Sequence, residues 1–493
     1  MPDFGFSEKD ALAATAFLLS SSDKDYELPE TFNSGDTEKG EKLFDKVGCL
    51  ACHELNGKGE VFGPDLSRIA NKVSADWLVS WLSNPKHYNS KSIMPNLRLS
   101  LEEASDLTAY LMQLGEEKHI PGIEERIHLP ELVKYGEKVV RRRGCFGCHD
   151  INGMEKESRI APELSSFGGK LILELEFGDS HIPHNWESWV RTKLKKPNSF
   201  RTERVLDKMP NFNLSQDEID ALVVLLKGYN GVKIPKKYQR VLSEKELTIE
   251  KGRRLVSKYN CRGCHVVEGE GGLIKKYIKT KNLYPPPLIQ DPYYVGERIK
   301  ASWLFSFLKN PTPVRTWVKV RMPTFSFTDQ EVRDLTAYFE ALAPVKFRYE
   351  DGINVKKHMD NINTAVKIVN YMDCGNCHDD GAKGIDFSIA SERLRQSWIP
   401  KWLKDTRDLI PDTKMPAHWE KKDGKYTILS KFSLLKEVED GNIDKQVEDI
   451  RDFIVSYNTV EFDFEQTLGG SGEEDGGDEA EDEEDEEEDE EEE

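Results

Sequence analysis

The chain has 493 residues, 38% hydrophobic and 32% charged, enough for three or four ordinary domains, and it lacks the run of about 18 apolar residues that a membrane-spanning helix needs. Its formal charge of −20 belongs to one end: 18 of the 89 acidic residues fall between Glu473 and Glu493, leaving 71 acidic against 69 basic residues in the body. A near-neutral body without a basic patch argues against a nucleic-acid partner.

The chain opens with MPDFGFSEKDALAATAFLLSS, apolar at helical spacing beyond Ser7. Asp3, Glu8, Lys9 and Asp10 do not make the basic leading region of a signal peptide. The segment matches MPNLRLSLEEASDLTAYLMQL at Met94 and MPTFSFTDQEVRDLTAYFEAL at Met322. Residues 1–25 therefore read as the last part of a further unit whose first half is missing, with Met1 in the place of Met94 and Met322. The expectation is a start internal to a longer protein, with the export signal upstream.

Four repeats follow, over 34–117, 130–229, 246–344 and 358–458. Each opens on a short amphipathic helix: GEKLFDKVGC from Gly40, GEKVVRRRGC from Gly136, KGRRLVSKYNC from Lys251 and NTAVKIVNYMDC from Asn363. Each helix runs into Cys-x-x-Cys-His: Cys49, Cys52 and His53; Cys145, Cys148 and His149; Cys261, Cys264 and His265; Cys374, Cys377 and His378. These turns consume all eight cysteines. A Trp-bearing stretch comes next, starting at Trp77, Trp186, Trp303 and Trp398, and then a Met-Pro pair at Met94, Met209, Met322 and Met415. An amphipathic helix closes the unit, and Ser or Thr followed three residues later by Glu or Gln predicts a capping box at its start. In the fourth repeat this helix is expected over VEDIRDFIVSY, delayed by an insertion around 419–440. Residues 469–493 are a low-complexity Asp/Glu tail, expected to be disordered and solvated. Docking of that tail onto a basic partner is the sharper alternative.

Cys-x-x-Cys-His is the attachment signature of c-type heme: two thiols for the two vinyl groups and an adjacent imidazole for the iron. A Cys-x-x-Cys pair alone could be half of a zinc site or a redox dithiol. Neither explains the histidines: His occurs 11 times in the chain, so four chance placements have odds on the order of one in a few million. The reading is four covalent hemes. Four of the nine methionines precede proline at the same place in the repeats, and a thioether opposite His gives a six-coordinate iron of raised potential. The candidate iron ligands are thus His53 with Met94, His149 with Met209, His265 with Met322, and His378 with Met415. Met112, Met154, Met359 and Met372 read as core fillers. His119, His128, His181, His184 and His358 follow no repeat and read as surface or loop residues, as do His87 and His418, which also lie near enough to Met94 and Met415 to compete as ligands. Trp77, Trp81, Trp186, Trp189, Trp303, Trp398 and Trp402 read as pocket packing rather than electron relays.

These residues resemble class I cytochromes c, small all-helical domains with Cys-x-x-Cys-His near the start and a Met ligand late. The resemblance runs from about residue 34 to 458. It implies an all-α fold: four tandem class I cytochrome c domains, a partial N-terminal one and a disordered tail. It also implies that the Cys-bearing helix and the closing helix of a domain cross, and that Pro64, Pro162 and Pro286 shape the loop over the proximal side. The fourth repeat, with GIDFSIASERL, has no such Pro-x-Leu.

The function so implied is electron relay between extracytoplasmic redox proteins, periplasmic in a bacterium, with no substrate transformed. The alternative is the electron-feeding part of a larger respiratory enzyme, with a quinol-oxidising or reductase module upstream. A catalytic heme with an open iron would need one Met-Pro not to bind, and the fourth repeat is the candidate for that.

Overall fold

The computed structural model describes residues 2–20, 28–115, 123–157, 161–200, 202, 209–231, 240–278, 285–316, 318, 320–344, 352–378, 383–410 and 413–462. Met1, His119 and the acidic tail lie outside the described residues. In chain order the principal helices are α1 (Glu8–Ser20), α2 (Thr37–Val47), α3 (Ala75–Ser83), α4 (Leu101–Leu111), α5 (Pro130–Arg143), α6 (Trp186–Lys195), α7 (Gln216–Gly228), α8 (Glu244–Lys258), α9 (Ala301–Lys309), α10 (Asp329–Leu342), α11 (Met359–Tyr371), α12 (Phe387–Arg393), α13 (Ile399–Lys404) and α14 (Ile443–Ser456). Strands are short; the hairpin of β1 (Trp419–Lys422) and β2 (Lys425–Ile428) fills the insertion of the fourth repeat. The architecture is the all-α one the repeats predict.

Local chemistry sets where the helices begin and end. Ser100 with Glu103, Ser215 with Glu218 and Thr328 with Glu331 form the expected capping boxes of α4, α7 and α10. Helix α14 starts four residues before the expected segment, because Asn442 caps it by accepting from the Lys445 amide. The residue before each first cysteine is left-handed: Gly48 at φ +83°, Gly144 at +70°, Asn260 at +50° and Asp373 at +52°. That conformation ends the preceding helix and turns the Cys-x-x-Cys-His segment off its axis.

Two compact units make up the chain, residues 1–27 with 117–241 and residues 28–116 with 242–493. In the larger unit α2 crosses α4, α8 crosses α10 and α11 crosses α14. The first two crossings turn on a glycine nine residues before the first cysteine. A Cβ on Gly40 would lie 2.1 Å from the Asp106 carbonyl, and one on Gly252 2.1 Å from the Tyr338 ring. In the fourth repeat Ala365, fully buried, takes that position.

Glu331 ties α8 to α10, accepting from the Lys258 ammonium at 2.8 Å and the Tyr259 hydroxyl at 2.7 Å. Burial alone would raise its pKa, but these donors and its Thr328 cap outweigh burial and hold the carboxyl at about 2. A depressed carboxylate contributes stability above its unfolded value of 4.5 and loses it as pH falls towards 2. Glu331→Gln is expected to cost about 2 kcal/mol at neutral pH and to flatten the acid limb of a pH-denaturation curve between those values. An unchanged acid limb would refute the assignment.

The larger unit joins its repeats out of chain order. The first meets the third through a backbone bridge between Asn96 and Thr324 (N···O 3.0 and 2.9 Å), each the residue after a Met-Pro pair. Arg321 donates to the Arg98 carbonyl and pairs with Glu103, and Lys276 and Tyr277 both donate to Glu60. The third meets the fourth through a bridge between Ile299 and Leu394. There the Lys300 amide donates to the Arg393 carbonyl and the Arg395 amide to the Arg298 carbonyl, both at 2.9 Å.

In the smaller unit the helix that crosses α5 is α1, and α7 packs instead on α6 and the turn at Phe167–Gly169. The expected crossing within one repeat thus holds for the first, third and fourth, and in the second α1 takes the closing helix's place. The reason is steric and polar. Ala13, Ala14 and Ala16 are buried on α1, Gly136 sits so close that a Cβ would lie 1.9 Å from the Ala13 carbonyl, and the Tyr135 hydroxyl donates to Asp10 at 2.6 Å. Asp3 bridges to Asn211 (2.7 and 2.9 Å), the same post-Met-Pro pairing seen between Asn96 and Thr324. On α7, Val224 is 73% exposed.

Candidate cofactor-attachment site

One turn of backbone carries each Cys-x-x-Cys-His. The histidine amide donates to the first cysteine's carbonyl, at 2.9 Å for Cys49 and Cys145, 2.8 Å for Cys261 and 3.2 Å for Cys374. The eight thiols are free of disulfides. Burial pushes Cys49, Cys261 and Cys264 up to about 12, the opposite of a redox dithiol's depressed thiol. Among the described residues no three His, Cys, Asp or Glu side chains converge on a metal position, so the zinc alternative lacks its second pair of ligands.

The imidazoles are aimed by backbone carbonyls. His53 Nδ1 bonds the Pro64 carbonyl at 2.8 Å, His265 Nδ1 that of Pro286 at 2.7 Å, and His378 Nδ1 that of Ile385 at 2.6 Å. A carbonyl only accepts, so Nδ1 carries the proton and Nε2 is left to bind a metal. Burial draws His53 and His265 below the ordinary imidazole value, keeping them neutral. The fourth repeat makes the same bond without a Pro-x-Leu, since any residue supplies a carbonyl. What it needs is the glycine before it: a Cβ on Gly384 would lie 2.9 Å from the His378 ring, and one on Gly63 2.5 Å from the His53 ring.

The methionines fall into place unevenly. Met94 packs in one apolar core with Cys49, Met322 with Cys261, and Met415 with Cys374. The Trp81 indole N–H lies 3.0 Å from the Met94 sulfur and that of Trp402 3.0 Å from the Met415 sulfur. In the third repeat Phe307 stands at the equivalent position, stacked on Trp303. In the second repeat Cys145 belongs to a core with Val139 and Ala14, whereas Met209 packs with Trp186 and Trp189 in another. His149 is exposed.

Other histidines depart from the surface reading. His358 bonds the fully buried carboxylate of Asp452 at 2.8 Å. His418 is buried, its Nδ1 has no hydrogen-bond partner among the described residues, and burial with Lys431 and His378 nearby pushes it down to about 4. It lies near His378, whereas His87 is exposed.

Sequence reasoning missed two arginines. Arg298 and Arg393 are each 4% exposed with an Nε that has no hydrogen-bond partner among the described residues. Each stands five residues before the first Trp of its repeat, and that spacing was the available signal. Two thiols free of disulfides, a neutral imidazole with Nε2 open and buried cations that no described carboxylate pairs fit a covalently held heme with its acidic propionates.

The family model for cytochrome c matches residues 37–115, 133–229 and 249–343. The fourth Cys-x-x-Cys-His lies outside those three matches. No solved structure matches the chain.

Proposed function

The chain belongs to the cytochrome c family, heme-binding proteins of electron transfer, and we propose that it relays electrons between extracytoplasmic redox proteins through four covalent hemes, His/Met-ligated in the first, third and fourth repeats. The observation that carries this reading is the direct contact of attachment turns in the larger unit. Asn260, which precedes Cys261, reaches from the third repeat to the first, its Nδ2 3.3 Å from Cys52 Sγ. A Cβ on Gly263, between Cys261 and Cys264, would lie 3.0 Å from the Ala51 carbonyl. The third repeat touches the fourth as well, which makes it the middle of a first–third–fourth sequence rather than one step in chain order.

Cys49 and Cys52, Cys145 and Cys148, Cys261 and Cys264, and Cys374 and Cys377 would hold the porphyrins as thioethers. His53, His149, His265 and His378 would bind iron on one side, and Met94, Met322 and Met415 on the other in the first, third and fourth repeats. The heme, when bound, supplies one-electron chemistry. The protein contributes orientation of the imidazoles by the carbonyls of Pro64, Pro286 and Ile385, and exclusion of water by Trp77, Trp303 and Trp398, which tunes potential. The donor and acceptor are themselves redox proteins in this reading, or a membrane quinol-oxidising complex that the chain serves.

The second repeat has its own expectation. Met209 and Cys145 occupy separate cores, so the second heme, rather than the fourth, is the one with an accessible iron. The test is a heme count with reduced spectra taken with and without carbon monoxide. Four hemes, with a carbon monoxide shift confined to one and abolished when Cys145→Ala with Cys148→Ala removes that heme's attachment, support the reading. Fewer than four hemes would overturn the relay as proposed, and a response from two or more would overturn the His/Met assignment in the larger unit.

A further inference from the structure

The contact between the third and fourth repeats is locally two-fold. Arg298-Ile299-Lys300-Ala301-Ser302-Trp303 and Arg393-Leu394-Arg395-Gln396-Ser397-Trp398 align position by position, and Ile299 pairs with Leu394 at their centre. The arginines cross over. Arg393 lies over the Trp303 ring at 5.3 Å, and Arg298 over the Trp398 ring at 5.8 Å and its own Tyr293 at 4.5 Å. Trp303 packs in the core that holds Cys261 and Met322. Trp398 stacks on Trp402, whose N–H meets the Met415 sulfur. Each arginine therefore reaches the cofactor pocket of the other repeat.

Nothing described around them neutralises these charges. The nearby carboxylates are engaged elsewhere, Glu340 by Arg395 and Glu297 by Lys401. Burial pulls Arg298 down to about 10 and Arg393 well below the ordinary guanidinium value, and Arg315 beside them adds to the repulsion. The Tyr293 hydroxyl is also buried without a hydrogen-bond partner among the described residues. A buried cation cluster of this kind needs an anion, and the group that enters both pockets brings carboxylates. The corresponding residues of the first and second repeats, Lys72 and His181, are exposed.

We propose that Arg298 and Arg393, with Arg315 beside them, form a shared propionate clamp, each guanidinium holding heme propionates across the boundary between the third and fourth repeats. The proposal rests on the four-heme reading. It makes the seating of either heme depend on the neighbouring repeat, and it couples the potentials of the two hemes through common counter-charges.

The test is a spectroelectrochemical titration of the full holoprotein carrying Arg298→Gln, Arg393→Gln or both, with Arg298→Lys and Arg393→Lys as conservative controls. Loss of a cation beside heme favours the ferric form, so each Gln variant should lower two of the four midpoints. A propionate that loses its counter-charge also rises in pKa, so those two midpoints should fall with increasing pH where the parent's do not. The Lys variants should restore both behaviours. A shift of one midpoint or none, with four hemes counted, overturns the clamp and leaves the relay standing. Midpoints that track added inorganic phosphate in the parent overturn it too, since the cations would then serve a free anion. A parent with fewer than four hemes overturns the relay reading first and the clamp with it.

Discussion

Deleting residues 1–20 is expected to unfold the segment that bears Cys145, Cys148 and His149 while the larger unit stays intact. Val139 and Val140 of α5 are fully buried, and α1 is the helix that crosses them. Returning two valines to water costs about 3–6 kcal/mol, and the Tyr135–Asp10 hydrogen bond, with Arg142 and Arg143 near the same carboxylate, is lost as well. A domain holds only about 5–15 kcal/mol in total, so α5 should lose most of its protection. Hydrogen exchange at the amides of 130–143 reads this directly, and the heme count should fall by one. Gly136→Ala is the point version: its Cβ would strike the Ala13 carbonyl, for about 1–3 kcal/mol. If α5 stayed protected in the truncated chain, a different helix would have to cover it, and α7 with its exposed Val224 would be the one to examine.

That pairing shows where sequence reasoning stops. The attachment turns, the capping boxes and the Met-Pro positions were legible because each is local: a few residues at fixed spacing do one chemical job. The match of MPDFGFSEKDALAATAFLLSS to the other closing helices was legible for the same reason. Periodicity says that a helix has an apolar face, but not which partner covers it. So the pairing of α1 with α5 and of the first repeat with the third could not be read from order along the chain. The proximal loop of the fourth repeat was not legible from a Pro-x-Leu pattern, since the bond to His378 needs only the Ile385 carbonyl and the small Gly384. Arg298 and Arg393 were passed over because an arginine gives no sign of burial until the neighbouring repeat closes over it.

Gly252→Ala should be a strongly damaging single-methyl change in the larger unit. The new Cβ would lie 2.1 Å from Cγ and 2.2 Å from Cβ of Tyr338, a ring with no exposed surface. Neither helix can yield easily, because α8 is held to α10 by Lys258 and Tyr259 at Glu331. Overpacking at such a site costs about 3 kcal/mol, which lowers the melting temperature of a domain this size by about 10–20 °C. The consequence for function is positional. Asn260 and the attachment turn follow α8 directly, so a displaced crossing moves Cys261, Cys264 and His265 relative to Met322. A double-mutant cycle separates overpacking from general damage. Tyr338→Gly alone opens a cavity worth about 3–5 kcal/mol, but because it removes both the ring and the Cβ that the new methyl would strike, Gly252→Ala added to it should be nearly free, a coupling of about 2–3 kcal/mol. The fourth repeat supplies the internal control: Ala365 already carries the methyl, and Ala365→Gly should cost about 1 kcal/mol through helix propensity. Additive costs at 252 and 338 would mean that the crossing is not closed on the glycine, and the attachment turn of the third repeat would then owe its position to the contacts with Cys52 and Ala51 instead.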